Sequence, residues 1–291
     1  MLDMKVDTFI QVVKEKSYTK AAQVLHLTQP AVTQHIHKLE KYYGCKLFKK
    51  SGKSFELTQE GRFLYHYCLL QKLNAQAVKD QIKRETKRLK LGATLSIADY
   101  YLPKYLVTSI RDQEVPYEIL VRNTRDLTDL LLRGEIDCAF IEGDFDHKLF
   151  QAHAFETTAF IGVVRNDHPL QSPVTMDQVF AYPLILREEG SGTRKILEDY
   201  LSQKGQSVAQ FEKIDQVSSF IMIKSFLEHT HGISFMYEGV CAREIEAGSL
   251  RPLIIEDYEV TRTLHFIYPR NSVNEEIFLR FFKSLGQEPR R

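Results

Sequence analysis

The sequence lacks the features by which several classes of protein are recognised. Its four cysteines are widely spaced: Cys45, Cys68, Cys138 and Cys241. None forms a Cys-x-x-Cys pair or has histidines at zinc-ligand spacing, so we expect reduced thiols and no metal site. No apolar run is long enough to cross a bilayer, and the first residues show no basic start followed by an apolar run. We therefore expect a cytoplasmic protein with no membrane partner.

Motifs of nucleotide-dependent and hydrolytic enzymes are also missing. The chain has no P-loop and no dinucleotide-binding glycine motif, and Gly190-Ser191-Gly192 is not the Gly-x-Ser-x-Gly elbow of hydrolases. No set of acid, base and nucleophile can be assembled from the sequence. We expect neither a cofactor nor an active site.

Charge is unevenly distributed along the chain. Residues 1–90 carry 18 lysines and arginines against 8 aspartates and glutamates, a net charge of +10, whereas residues 91–291 carry −9. Hydrophobic residues make up 43% and charged residues 26% of the 291 residues, as in globular proteins of two or three domains. A basic end on an otherwise acidic chain indicates a polyanion partner for that end. On composition alone, chance clustering of solvated charges is the alternative.

The first sixty residues predict three short helices. Apolar residues at helical spacing mark the first helix over residues 6–13, and small residues around Ala21 mark the second. Thr28 is a good N-cap for the third helix, which has Pro30 in its first turn and Gly44 at its end. Two short helices that lead into a capped third helix are typical of a helix-turn-helix, whose last helix reads the DNA major groove.

The third helix and the hairpin after it supply candidate DNA contacts. Residues 46–57 predict two short strands around a Ser-Gly turn, a basic wing that can follow phosphates. The predicted DNA contacts on the helix and wing are Thr28, Gln29, Pro30, Thr33, Gln34, His37, Lys38, Lys50 and Lys53. Because surface helices usually carry a polar face, the whole arrangement supports this prediction better than the face alone.

The run from Phe9 to Leu57 resembles the DNA-binding domain of LysR-type transcriptional regulators. The matching stretches are Ser17-Tyr18-Thr19-Lys20-Ala21-Ala22, Leu27-Thr28-Gln29-Pro30-Ala31-Val32-Thr33, Ile36-His37-Lys38-Leu39-Glu40, Leu47-Phe48 and Leu57-Thr58-Gln59-Glu60-Gly61. The resemblance implies that residues 29, 30, 33 and 34 approach the bases and that Lys50 and Lys53 serve the wing. Many members carry arginine in place of Gln34 and Lys50, so the preferred base sequence does not follow from the resemblance.

A long helix is predicted from Thr58 to about Leu89, because this stretch has no proline and, after Gly61, no glycine. Apolar residues recur along it at a spacing close to 3.5, typical of a two-helix coiled coil: Leu64, Cys68, Ala75, Val78 and Ile82. Packing of the helix on its own domain is the alternative. The resemblance implies a dimerisation arm, so we expect a homodimer or homotetramer on a double-stranded DNA operator that is an inverted repeat.

After Lys90, short apolar runs alternate with helical stretches. The predicted strands lie near residues 89–93, 117–121, 137–141, 159–164, 184–186, 232–235 and 264–268. Strands that alternate with helices predict parallel sheets covered on both faces, an α/β fold. The resemblance continues here and implies a two-lobed effector domain like a periplasmic binding protein. Its first lobe would comprise about 91–161 with 266–291, and its second lobe about 163–264.

These observations divide the chain into three parts. We expect a winged helix-turn-helix over residues 1–58, a linker and dimerisation helix over 59–89, and an effector-binding domain over 90–291. The fold class is α/β, with an N-terminal all-α winged helix-turn-helix, a long linker helix and a two-lobed effector domain. Hinges between the lobes would lie near 162–165 and 262–266.

Polar residues at helix starts mark a candidate effector site. In α/β sheets, ligands bind outside the carboxyl ends of the strands, here between the lobes. Hydroxyls and free backbone N–H groups at helix N-termini can hold an anion. The predicted effector contacts are Thr94, Ser96, Asn123, Ser191, Thr193 and Ser219. Arg187 and Arg194 flank one of these helix starts, and simple helix capping is the alternative for each hydroxyl.

Together the patterns predict a sequence-specific DNA-binding transcriptional regulator, modulated by a small anionic metabolite bound between the two lobes. RNA polymerase is a candidate further partner. One alternative is a helix-turn-helix protein whose C-terminal α/β domain is an enzyme. Another is a DNA-architectural protein with no effector, against which the hydroxyl-rich helix starts argue.

Overall fold

The structure is a computed structural model, and it describes residues 4–51, 54–83, 88–109 and 116–287. The chain divides into two compact units. The N-terminal unit comprises Met1–Thr86, Leu132–Glu135 and Pro269–Glu276. The C-terminal unit comprises Lys87–Leu131, Ile136–Tyr268 and Ile277–Arg291.

The N-terminal unit is built mainly from helices and one hairpin. In chain order these are α1 (Met4–Glu15), α2 (Tyr18–Val24), α3 (Gln29–Tyr43), β1 (Phe48–Ser51), β2 (Ser54–Leu57) and α4 (Gln59–Lys83). Ser17 caps α2 and Thr28 caps α3, each by accepting a hydrogen bond from the backbone N–H three residues on. Pro30 lies in the first turn of α3, and Gly44 ends this helix with a left-handed φ of 66°. The predicted winged helix-turn-helix is confirmed.

One apolar core joins these helices to the hairpin. Phe9 of α1, Ala21 of α2 and Val32 of α3 are all fully buried in it. The rings of Phe48 and Phe55 meet edge to face across the hairpin, with their centroids 5.1 Å apart. Since these side chains belong to different elements, the core fixes the reading helix and the wing in one body.

The first turn of α4 lies against the segment before the wing. Thr58 donates its backbone N–H to the carbonyl of Leu47, and its hydroxyl accepts a hydrogen bond from the N–H of Gly61. A β-carbon added at Gly61 would lie 2.1 Å from the carbonyl oxygen of Leu47. Only glycine permits this approach, which explains the glycine of the Leu-Thr-Gln-Glu-Gly motif.

The long helix α4 differs from its prediction in two ways. Within the described residues it spans Gln59–Lys83, residues 84–87 of the predicted helix lie outside them, and Leu89 begins a strand instead of ending the helix. Leu64 and Cys68, predicted on a coiled-coil seam, are only 6% and 3% exposed because they pack in the core of their own unit. The seam prediction was wrong for these two residues, because spacing alone cannot show which partner an apolar face meets. None of the helices formed by the described residues is long and apolar enough to cross a membrane.

The C-terminal unit alternates strands with helices. Its strands are β3 (Leu89–Ala93), β4 (Tyr117–Val121), β5 (Cys138–Ile141), β6 (Phe150–Arg165), β7 (Leu184–Leu186), β8 (Ile214–Gln216), β9 (Ser234–Tyr237), β10 (Leu250–Leu253) and β11 (Thr261–Pro269). Its helices are α5 (Leu102–Ser109), α6 (Thr124–Arg133), α7 (Met176–Phe180), α8 (Gly192–Gln203), α9 (Phe220–His229), α10 (Glu238–Glu246) and α11 (Glu275–Ser284). A π-helical turn over Ile97–Tyr101 precedes α5, and a short 3-10 turn spans Val208–Gln210.

The main sheet has the strand order β10-β6-β11-β5-β3-β4, with β9 also paired to β6. Strand β3 is parallel to β4 and β5, as predicted. However, β11 is antiparallel to β5, and β6 is antiparallel to both β9 and β10, so the α/β class is confirmed but the main sheet is mixed and not parallel throughout. The reason is that β6 and β11 carry the chain from one part of the sheet to the other and back, which requires opposite directions. Strands β7 and β8 form a separate parallel pair.

Candidate DNA-reading face and effector site

The outer face of α3 carries most of the predicted DNA contacts. Its buried side consists of Val32, Ile36 and Leu39, which pack in the core. Six of the seven DNA contacts predicted on this helix and its cap point outward and are exposed: Thr28, Gln29, Pro30, Gln34, His37 and Lys38. Thr33 is half-buried, and its hydroxyl donates to the backbone carbonyl of Gln29 at 3.0 Å. The helical period therefore separates a packing face from a polar, accessible face.

A carboxylate links α3 to the start of the wing. Glu40 accepts a hydrogen bond from the backbone N–H of Leu47 at 3.0 Å and forms an ion pair with the Lys46 ammonium at 2.7 Å. This contact joins the last turns of the reading helix to the residues that enter β1. In the wing itself Lys49 and Lys50 are exposed, while Lys53 lies outside the described residues.

Two of the predicted effector residues act as helix caps. Ser219 accepts a hydrogen bond from the backbone N–H of Met222 at the start of α9. Asn123 accepts one from the N–H of Asp126 and donates to that residue's carboxylate, at the start of α6. Ser219 is half-buried and Asn123 is exposed. The capping alternative therefore accounts for both side chains.

Four other predicted effector residues are buried and do not use their side chains as caps. Thr94 and Ser96, which follow β3, are 3% and 0% exposed. The Thr94 hydroxyl has no hydrogen-bond partner among the described residues. At the start of α8 the hydroxyls of Ser191 and Thr193 bond each other at 2.8 Å. A buried polar group without a partner costs free energy, so it commonly marks a place for a ligand or water.

Ser96 donates its hydroxyl to a carboxylate that the sequence analysis did not single out. The acceptor is Glu142, directly after β5, at an oxygen–oxygen distance of 2.5 Å. Glu142 is 4% exposed, and its backbone carbonyl accepts a hydrogen bond from Thr124. A β-carbon added at Gly192, the first residue of α8, would lie 3.4 Å from the Glu142 side chain. The carboxylate thus brings together the ends of β3 and β5 and the start of α8.

A signal for Glu142 was present in the sequence. It is an acidic residue that directly follows a fully buried apolar strand, Cys138–Ile141, where the ligand edge of an α/β sheet lies. The prediction of the site rested on hydroxyls at helix starts, and this single acid after a strand was not part of it. The burial that makes this residue unusual is visible only in the folded chain.

Burial raises the pKa of Glu142 from its ordinary value of 4.5 to about 7. The hydrogen bond from Ser96 and the positive charge of Arg187 oppose this rise but do not cancel it. Arg187 follows β7, is itself 8% exposed, and pairs through two nitrogens with Glu188 at 2.7 and 2.9 Å. Its guanidinium also lies 4.4 Å from the ring centre of Phe220. Because Arg187 already has a carboxylate partner, it offsets only part of the Glu142 charge.

The second arginine proposed for this site is also paired. Arg194 of α8 binds Glu198 at 2.7 Å and donates to the side chain of Gln216 at 3.1 Å. Both arginines that flank the start of α8 therefore have partners within the protein. Their charge alone does not make the site cationic.

Two tyrosines complete the buried polar region. Tyr237, the last residue of β9, is fully buried, and its hydroxyl has no hydrogen-bond partner of normal geometry among the described residues. It lies close enough to Glu142 for the carboxylate charge to raise its pKa further, after burial as the main cause. The hydroxyl of Tyr101 accepts a hydrogen bond from the N–H of Gly239 and bonds the hydroxyl of Thr158 at 2.8 Å. Buried polar groups from the ends of β3, β5, β7 and β9 therefore meet here.

The chain joins a winged helix-turn-helix, whose reading helix is polar and exposed, to an α/β unit with buried polar groups at its strand ends. This combination defines a DNA-binding regulator with an effector domain. The chain belongs to the LysR family of bacterial transcriptional regulators. Residues 5–62 match the bacterial regulatory helix-turn-helix protein model of the lysR family, and residues 83–290 match the LysR substrate binding domain.

Characterised and uncharacterised regulators resemble this chain over nearly its whole length. The transcriptional regulator YeiE of Escherichia coli is 29% identical over 279 residues, which cover 95% of this chain and 94% of that protein. CysL of Bacillus subtilis is 28% identical over 287 residues and covers 95% of both chains.

Solved structures of regulators share the fold. LysG from Corynebacterium glutamicum with bound effector Arg aligns over 100% of both chains, with a TM-score of 0.68 at 14% identity. The regulatory domain of CcmR from Synechocystis, in complex with 2-PG, covers 68% of this chain and 95% of that one, with a TM-score of 0.61 at 20% identity.

The raised pKa of Glu142 predicts a specific pH dependence of stability. The folded protein holds this proton more tightly than the unfolded chain does, so the free energy of unfolding should fall as pH rises from about 4.5 to about 7. A difference of this size corresponds to roughly 3 kcal/mol above pH 7. Glu142→Gln removes the titration, so its stability relative to the wild type should increase through that window, measured by urea unfolding between pH 4.5 and 8.

Glu156→Gln is the matched control, because Glu156 accepts hydrogen bonds from Lys104 and Tyr105 and not from Ser96. It should not gain stability over the wild type through this pH range. Parallel pH profiles for Glu142→Gln and the wild type would contradict the assignment of a proton to Glu142.

Proposed function

We propose that this protein regulates transcription by reading an operator with α3 and the wing, and that a small anionic metabolite bound in the C-terminal unit modulates its activity. The observation that carries the proposal is the polar outer face of α3, held by a core that also anchors the wing. Chromosomal DNA as the target implies that it acts in the cytoplasm. The division at residues 1–58, 59–89 and 90–291, and the two lobes of the last part, stay predictions.

DNA recognition would use both specific and non-specific contacts. Amide and hydroxyl side chains such as Gln29, Thr33 and Gln34 can exchange hydrogen bonds with base edges in the major groove. Exposed lysines such as Lys38 and Lys50 can contact phosphates and give a salt-dependent affinity. Because the outward side chains lie on one rigid helix, their positions relative to the bases are fixed together.

The double change Gln29→Ala, Thr33→Ala should reduce discrimination between operator and unrelated DNA. Each good base contact that is lost should cost roughly 1–3 kcal/mol of selectivity. Lys50→Ala is the contrasting variant and should weaken all sequences more evenly, with a smaller salt dependence. Fluorescence anisotropy on selected and scrambled DNA measures both. Unchanged selectivity of the double variant would show that α3 does not read the bases.

We infer a dimer that forms through the exposed part of α4. Val78 and Ile82 are 42% and 76% exposed, and Phe63 is 75% exposed. Large apolar side chains along one exposed helix favour burial against a second copy, and regulators of the LysR family form oligomers. Two copies would present two reading helices, which fits an inverted-repeat operator. Further assembly to a tetramer, and contact with RNA polymerase, also belong to this proposal.

The double change Val78→Glu, Ile82→Glu should produce monomers with weak operator affinity, because it places charge at the proposed contact. Light scattering of the eluted protein measures the mass. Leu64→Ala is the matched change on the buried part of the same helix. It should leave the mass unchanged and lower stability by roughly 2–5 kcal/mol, as core truncations do. A full-size oligomer of the charged variant would exclude α4 as the interface.

The effector part of the proposal rests on the buried polar groups at the strand ends. The Thr94 hydroxyl has no partner among the described residues, and the buried Tyr237 hydroxyl faces the Glu142 carboxylate. Ser191 and Thr193 lie buried at the start of α8, whose backbone N–H groups favour an anion. LysG holds the effector Arg, and the CcmR regulatory domain holds 2-PG, so this fold accommodates small metabolites. If the domain binds its ligand without turnover, it is not an enzyme for that ligand. Recovery of the unchanged ligand after incubation with the protein tests this.

Thr94→Val should weaken the binding of an anionic effector by about tenfold or more, the effect of losing one hydrogen bond to a charged group. Since the Thr94 hydroxyl has no partner in the protein, the isosteric change should leave stability unaffected. Ser17→Ala is the control: it removes the cap of α2 in the N-terminal unit, so stability should fall by about 1 kcal/mol while effector affinity stays unchanged.

Both variants and the wild type would be screened against anionic metabolites by thermal shift and then by calorimetry. An uncharged or cationic effector would contradict the proposed ligand class. An anion whose affinity is the same for the wild type and Thr94→Val would place the site elsewhere.

A further inference from the structure

The carboxylate of Glu142 contacts groups on which the proposed anion site depends. Its side chain packs against Gly192 at the start of α8 and accepts a hydrogen bond from Ser96. These are the helix start and the hydroxyl on which the proposal of an anion site depends. An ionised Glu142 and a bound anion would therefore compete for the Ser96 hydroxyl and would lie close together at the start of α8.

Few groups offset a negative charge on Glu142. Among the described residues, the charged or titratable side chains that face it are Arg187, Tyr237, whose hydroxyl stabilises the carboxylate in addition to that of Ser96, and Tyr101. Arg187 is already engaged with both oxygens of Glu188. The tyrosines are neutral because burial raises the pKa of each, that of Tyr101 to about 12. Any further negative charge beside an ionised Glu142 would meet uncompensated repulsion in a buried environment.

We propose that the effector binds as an anion together with one proton, which Glu142 holds and shares with an oxygen of the ligand. This inference rests on the proposed anionic effector and names the residue that makes the site selective for it. A protonated carboxyl is a hydrogen-bond donor, and a bond from O–H to an anionic oxygen is among the stronger kinds in proteins. A carboxylic acid that burial keeps neutral can donate to an oxyanion in this way.

The proton balance of the step is simple. Above about pH 7 the free protein holds Glu142 ionised, so binding of the anion takes up one proton from solvent at a carboxylate oxygen. Below that pH the proton is already present, and binding takes up none. No covalent bond other than this O–H bond forms or breaks. Acidification would therefore increase effector occupancy.

Sulfate is a suitable probe, because it does not titrate between pH 5.5 and 8.5. The non-titrating anion that binds most tightly in the screen described above would be tested in the same way. Isothermal titration calorimetry of the full chain should give an association constant that levels off below about pH 7. Above that pH it should fall by about tenfold per pH unit, since each unit reduces the protonated fraction tenfold. Repeating the titration in two buffers of different ionisation enthalpy should show uptake of up to one proton at pH 8.

Glu142→Gln keeps a neutral side chain with a donor, so its affinity should be independent of pH and should exceed that of the wild type at pH 8. Glu156→Gln should retain the pH slope of the wild type, since Glu156 bonds Lys104 and Tyr105 and leaves Glu142 and its Ser96 partner unchanged. An anion that binds the wild type equally well from pH 5.5 to 8.5 would overturn the proton linkage and leave the anionic effector standing. Affinity that rises with pH would show that the ionised carboxylate is the binding form. Failure of every anion to bind both the wild type and Glu142→Gln would remove the effector proposal as well.

Discussion

The candidate effector site depends on one constraint: a single strand that hydrogen-bonds in both parts of the main sheet. Strand β6 is 16 residues long, pairs with β11, and then continues to pair with β9 and β10. Because it runs through without a break, it holds the strand ends of both parts in one arrangement. Ser96 and Glu142, which follow β3 and β5, and Tyr237 at the end of β9 therefore belong to one hydrogen-bonded sheet that β6 holds together.

The two units handle polar side chains in opposite ways. In the N-terminal unit the helical period of α3 buries Val32, Ile36 and Leu39 and leaves amides and lysines accessible to a large, charged partner. In the C-terminal unit Thr94, Ser96 and Glu142 are hidden from solvent, where an unbalanced charge or an unpaired hydroxyl is costly. Residues 1–90 are basic, as expected for the part that faces DNA, whereas the rest of the chain is acidic.

The charge of Glu142 is only partly compensated by the groups around it. A carboxylate with complete compensation would stay ionised and would repel an anion, whereas an apolar residue would offer no hydrogen bond. Burial raises the pKa of Glu142 to about 7, because the hydroxyls of Ser96 and Tyr237 and the already paired Arg187 offset the cost of burying its charge only in part. Local instability of this kind is expected where a protein binds a ligand and responds to it.

The helices and turns of the N-terminal unit were determined by the sequence itself, because the caps Ser17 and Thr28 and the left-handed Gly44 act within a few residues of themselves. The α/β class and most strands followed from local periodicity in the same way. Only the tertiary structure decided that Leu64 and Cys68 belong to the core of their own unit, since spacing does not name a partner. It alone also showed that Ser219 and Asn123 cap helices while Ser96 donates to Glu142, because residues 46 positions apart meet only when β3 and β5 pair.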